Sequence, residues 1–221
     1  MDVSNEFVET LRRAVEEGLL PTLQVESRKH TERVEVVFAP EPWSVLGRGN
    51  YAAVLAHPDF GGWVVKVYAP GRPGIEEERE VYRRVGDHPA YSRCLFAGER
   101  YLVLRRLDGV TLYDAVLRGI PIPEQVIRDV DDALEYARRR GLFPHDVHGR
   151  NVMMKDGRGL MVDISDFLRR DPCSRWNDLK RGYYWIYRPL VLRLGLPVSG
   201  RMLDWVRRTH RFTRRIVPVS S

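Results

Sequence analysis

Pro144-His145-Asp146-Val147-His148-Gly149-Arg150-Asn151 is followed, twelve residues after its Asn, by Asp163 at the end of the apolar run Leu160-Met161-Val162. An Asp, an Asn five residues on and a second Asp beyond a short hairpin match the spacing of a phosphoryl-transfer site. The first Asp can orient or deprotonate an attacking hydroxyl, while the Asn and the second Asp offer oxygens to Mg²⁺ on a nucleotide. Alone, such a pattern can arise by chance between loops. Its weight comes from what precedes it.

Upstream, Gly47-Arg48-Gly49-Asn50-Tyr51-Ala52-Ala53-Val54 follows an expected strand, Trp43 to Leu46. Glycines suit a phosphate loop because backbone N–H groups must approach oxygens with no Cβ in the way. By itself the loop reads more readily as a glycine-rich hairpin turn. Twelve residues after Val54 comes Lys66, within the apolar and aromatic strand Trp63-Val64-Val65-Lys66-Val67-Tyr68. A lone Lys often marks the wet face of a strand, but behind a glycine-rich loop a phosphate-binding lysine is the preferred reading. Such a lysine needs a carboxylate, and Ile75 to Val85 offers Glu76, Glu77, Glu78 and Glu80. Glu78, Val81, Tyr82 and Val85 fall at i, i+3, i+4 and i+7, one helical face, which selects Glu78. Glu80 stands second, since docking shifted by a turn would choose it. Tyr101 to Leu104 reads as a buried strand, Arg105 to Gly109 as a hinge, and Pro123 to Arg140 as a helix leading to Asp146.

At this point the chain resembles the protein-kinase-like fold from about Trp43 to Leu190. It is most similar to short bacterial proteins classed as serine/threonine protein kinases. Three blocks carry the likeness: Gly141 to Met154, Gly159 to Phe167 and Ser174 to Lys180. The resemblance implies an α+β bilobal fold with a β-rich N-lobe over residues 1–104, a hinge at 105–109 and a shortened helical C-lobe over 110–221. It implies that Gly47, Gly49 and Val54 roof ATP and that Lys66, paired with Glu78, holds its phosphates. Leu104 would stand behind the adenine, the backbone of Arg105 and Leu107 would bond its edge, and Met153 would floor it. Asp146 would be the catalytic base, with Asn151 and Asp163 as Mg²⁺ ligands. The acceptor would be a hydroxyl, on a protein serine or threonine in the leading reading.

Departures from the family pattern leave alternatives open. Pro144-His145 replaces the usual His-Arg before the catalytic Asp, so switching by phosphorylation of the following segment is not expected. His148-Gly149 is similar to the loop of small-molecule phosphotransferases. The metal motif reads Asp163-Ile164-Ser165, without its glycine. From Asp163 to Asp178 there are fifteen residues, and 43 follow Asp178, so the peptide platform is expected to be mostly absent. A small-molecule kinase and a nucleotide-binding pseudokinase therefore stand beside the protein-kinase reading. Arg150, next to the catalytic Asp, suits an acidic or phosphorylated acceptor.

Bulk composition agrees with one fold of two lobes: 221 residues, 43% hydrophobic and 30% charged. No stretch reaches the roughly 18 apolar residues of a membrane span, and the opening residues lack a basic-then-apolar leader. A cytoplasmic protein is expected, with Cys94 and Cys173 reduced and structural. Ser4 is an expected N-cap, followed by the stripe Phe7, Leu11, Ala14 and Val15 and ended by Gly18 and Pro21. That helix either braces the sheet, the preferred reading, or docks a partner. The net charge is +6, and Arg201 to Arg215 holds six arginines against one Asp204, interleaved with apolar residues. The segment is expected to be a last helix with solvated arginines. Its alternative is a basic amphipathic surface for anionic lipid or an acidic partner, giving peripheral membrane contact, with nucleic acid ranked last.

Overall fold

The structure is a computed structural model and describes residues 3–27 and 33–193. Helix α1 (Asn5–Arg13) starts at Ser4, whose side chain accepts the Phe7 N–H at 3.2 Å. It does not stop at Gly18: a π-helical turn, Ala14–Leu19, carries it onward. Leu11, Val15 and Leu19 are fully buried there. A short antiparallel pair follows, β1 (Gln24–Glu26) and β2 (Glu35–Phe38).

Next come β3 (Ser44–Arg48), β4 (Ala52–Ala56), β5 (Trp63–Tyr68), helix α2 (Ile75–Val85), β6 (Cys94–Ala97) and β7 (Tyr101–Arg105). The strands form one antiparallel sheet in the order β3-β4-β5-β7-β6. Side chains alternate across a strand, and β5 shows why its sequence is so apolar. Val65 and Val67 face a cluster with Leu11, Val15 and Leu19 of the N-terminal helix. Val64 faces the other way, into a cluster with Val81, Tyr82 and Val85 of α2. Both faces of the sheet are covered, and Lys66 lies on the α2 side. The N-terminal helix braces the outer face: the Phe7 and Phe60 rings meet edge to face at 5.7 Å, and the Tyr101 hydroxyl donates to Glu16 at 2.6 Å.

Beyond the sheet lie β8 (Val110–Thr111), α3 (Leu112–Arg118), α4 (Glu124–Arg139), β9 (Val152–Lys155), β10 (Arg158–Met161) and α5 (Arg175–Gly182). A π-helical stretch, Tyr183–Arg193, follows. Strands β8, β9 and β10 pair antiparallel, and α4 packs under the β9–β10 hairpin. Gly159 lets them touch, because a Cβ there would stand 2.6 Å from the Val126 carbonyl oxygen. Asp129 of α4 ties the hairpin down, accepting from the Gly159 N–H at 2.9 Å and from Arg158 Nε at 2.7 Å. The Arg201–Arg215 segment lies outside the described residues. Among those described, no helix is long and apolar enough to cross a membrane.

Strand β7 includes Arg105, the first residue of the stretch expected to be a hinge. Arg105 still pairs with Trp63 across β5 and β7, because β7 runs as far as β5 offers a partner. Its N–H donates to the Arg93 carbonyl at 2.8 Å.

Candidate active site

Where the sheet meets the second half of the chain there is a cavity of about 410 Å³. Gly47, Gly49 and Val54 line one side, with Lys66 and Leu104 behind. Arg105 and Leu107 form the connecting edge, and Met153 and Asp163 the far side. Leu46, Val64 and Val162, which the sequence reading did not single out, add apolar surface. Val64 was findable, since it stands two residues before Lys66 and so shares its face. At the connecting edge, the Arg105 carbonyl accepts from the Ser92 hydroxyl at 2.7 Å, so one of its lone pairs is taken.

Glu78 is not in the wall. It lies fully buried behind Lys66, whose Nζ reaches Glu78 Oε1 at 2.8 Å and Asp163 Oδ1 at 3.5 Å. Tyr68, another residue without a prior assignment, donates its hydroxyl to Glu78 Oε2. Tyr68 stands two residues after Lys66, so period-2 spacing puts it on the same face. Glu80 points elsewhere and pairs with Arg83 and Arg84 at 2.6 and 2.7 Å. Burial works to lower the Lys66 pKa, but the Asp163 and Glu78 carboxylates outweigh it and raise it, so the ammonium stays charged. For Asp163, burial pulls upward and is outweighed by Lys66 and the Ser165 N–H, which hold the carboxyl low. Burial pushes Glu78 up, against the attraction of Lys66.

Asp146 is not among the residues lining the cavity, and its backbone lies in the left-handed region at φ 54°. Asp tolerates that region better than most residues. Asn151 holds the turn: its Nδ2 donates to the Asp146 carbonyl at 3.1 Å, and its N–H donates to the His148 carbonyl at 2.8 Å. The same residue reaches the hairpin, where the Val162 N–H donates to the Asn151 carbonyl at 3.0 Å. One loop thus spaces Asp146 and Asn151 against Asp163. The Asp146 carboxylate is ion-paired with Arg175 of α5, a contact that joins distant elements and has no signature in sequence.

The donor set fits Mg²⁺. Asp163 keeps 42% of its side chain exposed, and the bond to the Asp146 carbonyl uses one N–H of the Asn151 side-chain amide, so its oxygen can accept. Oxygen donors few in number are what Mg²⁺ on phosphates requires. Among the described residues no group of three or more His, Cys, Asp or Glu side chains could hold a metal ion unaided.

A five-stranded antiparallel sheet above a helical half, with a lysine held by a helix-borne carboxylate at their junction, is the architecture of the protein-kinase-like fold. The chain is similar to proteins named as serine/threonine-protein kinases. YrzF of Bacillus subtilis (strain 168), provisionally named a serine/threonine-protein kinase, is 27% identical over 173 residues, covering 77% of this chain and 80% of its own. Serine/threonine-protein kinase PknI of Mycobacterium tuberculosis (strain ATCC 25618 / H37Rv) is 28% identical over 133 residues, half of this chain and 23% of PknI. The crystal structure of the M. tuberculosis PknI kinase domain superposes with a TM-score of 0.41 at 26% identity, over 55% of this chain and 57% of that one. No protein-family model matches the chain.

Proposed function

We propose that the chain is an ATP- and Mg²⁺-dependent phosphotransferase that moves the γ-phosphoryl group to a hydroxyl, with a protein serine or threonine as leading acceptor. The observation that carries the reading is Lys66, held between the buried Glu78 and Asp163 at the wall of a cavity roofed by Gly47 and Gly49. A charged lysine fixed in this way is a preformed partner for phosphate oxygens. The apolar surfaces of Val54, Val64, Leu104 and Met153 suit a flat base between sheet and hairpin. Mg²⁺, held by Asp163 and Asn151, would offset phosphate charge. Asp146 orients the acceptor hydroxyl and takes its proton. The hydroxyl oxygen bonds to the γ-phosphorus, the bond to the β,γ-bridging oxygen breaks, and ADP leaves with that electron pair.

A small-molecule acceptor is the second reading, favoured by His148-Gly149 and by the short segment between Asp163 and Asp178. Incubating the purified chain with γ-labelled ATP, alone, with a generic protein acceptor and with a small-metabolite mixture, separates the readings. Label on the protein acceptor supports the leading one, and label only in metabolites supports the second. Saturable MgATP binding with no transfer to any acceptor leaves a nucleotide-binding scaffold and overturns the enzyme.

A further inference from the structure

The surroundings of Asp146 are positive. Arg175 Nη1 is ion-paired with its carboxylate, and His148 Nε2 lies 3.6 Å from Oδ1. His148 Nδ1 accepts the Arg150 N–H at 3.2 Å, so in the neutral ring the proton is on Nε2, the nitrogen nearer Asp146. Arg150 lays its guanidinium over the Tyr113 ring at 3.6 Å. Among the described residues it pairs with no carboxylate. A stacked guanidinium still presents its edge N–H groups to an anion.

Arg175 is tethered from behind. Its neighbour Trp176 is buried and donates Nε1–H to Asp131 at 2.7 Å, and Lys180 donates to the same carboxylate at 2.8 Å. Helix α5 is thereby pinned to α4, so the adjustable part of Arg175 is its side chain. Asp146 is also the group assigned to the acceptor hydroxyl. A neutral alcohol reaching Asp146 would have to strip Arg175 from it and leave the guanidinium without an anion. An alcohol that brings its own anion exchanges one charged partner for another, and charge-assisted hydrogen bonds are the strong ones.

We propose that the acceptor is anionic, its hydroxyl lying a few bonds from a phosphate or carboxylate that Arg175 and Arg150 receive. The inference rests on the phosphotransferase reading and names its substrate class. The anion has two possible sources, acidic residues flanking a serine or a phosphate on a small alcohol.

The full chain with MgATP is assayed on matched pairs: a serine peptide flanked by alanine or by aspartate, and glycerol or glycerol 3-phosphate. The anionic member of one pair should be preferred in kcat/KM by roughly 10-fold or more, as the loss of a charged hydrogen bond implies, and the pair that responds identifies the source. The preference should fall towards one in Arg150→Gln and Arg175→Gln, chiefly through KM. Calorimetry with glycerol 3-phosphate, and with the aspartate peptide carrying alanine for its serine, gives a readout independent of turnover. Binding of one probe in the parent, weakened in both variants, supports the proposal. The MgATP-dependent rise in melting temperature reports that the variants are folded. Equal use of neutral and anionic acceptors, or binding of neither probe, overturns this proposal and leaves the phosphotransferase standing if γ-phosphate still moves. Faster transfer to neutral acceptors in Arg175→Gln overturns it too, making Arg175 a plug on Asp146.

Discussion

At the scale of the residue, the choice of Glu78 over its three acidic neighbours illustrates how much a helical period can decide. Only the carboxylate on the stripe with Val81, Tyr82 and Val85 enters the interior, where Lys66 and Tyr68 meet it. Removing one member of a buried pair strands the other, at a cost of roughly 3–5 kcal/mol. Glu78→Ala should therefore lose about that much stability in denaturant titration, while Glu80→Ala, whose arginine pairs are exposed, should melt near the parent. Equal losses would mean that the Lys66–Glu78 pair contributes nothing special. Tyr68→Phe deletes one hydrogen bond to a charged group and should cost about 1.5–3 kcal/mol. The residue scale also holds what sequence did not disclose. Arg175 meets Asp146 only because α5 is packed on α4 through Trp176 and Asp131, and no local pattern encodes a contact made by that packing.

Elements were more legible than contacts. The near-continuous apolar run in Trp63–Tyr68, the stripe in Ile75–Val85 and the long amphipathic run before Gly141 each announce a strand or helix, because a strand covered on both faces is apolar throughout and a helix buried on one face shows its period. Limits set by neighbours were less so. Arg105 belongs to β7 because β5 extends far enough to pair with it, and Gly18 falls inside a π-helical turn rather than ending a helix. The β9–β10 hairpin, which carries Asp163 on its far side, depends on Asp129 and Gly159. For Asp129, burial is outweighed by the Arg158, Gly159 and Gln125 donors, so its carboxyl is held low. A depressed carboxyl stabilises the fold above its unfolded value, near 3.8, and that stability is lost as pH falls through the lower folded value. Asp129→Asn should flatten the acid limb of a stability–pH profile below about pH 4; an unchanged limb would remove Asp129 from the account. Gly159→Ala should destabilise by about 1–3 kcal/mol, since the added methyl meets backbone.

Across the whole molecule, two cores meet at the sheet, one under the N-terminal helix and one continuous with the helical half. The candidate site lies where the second core opens into the cavity, with Lys66 from the sheet and Asp163 from the hairpin at 3.5 Å. A ligand bridging both halves stabilises the folded state by mass action. MgATP at millimolar concentration should therefore raise the melting temperature, and the rise should vanish in folded Lys66→Ala and Asp163→Ala. No rise in the parent would remove the nucleotide. Whether Asp146 performs chemistry on an acceptor or merely holds the fold is decided by one comparison. MgATP affinity and γ-phosphoryl transfer are measured on the parent and on Asp146→Asn, with the acceptor that takes label in the parent. Affinity should be nearly equal and transfer slowed by roughly 100-fold or more, the scale of a lost general base. Transfer at the parent's rate in Asp146→Asn would contradict a role in the chemistry.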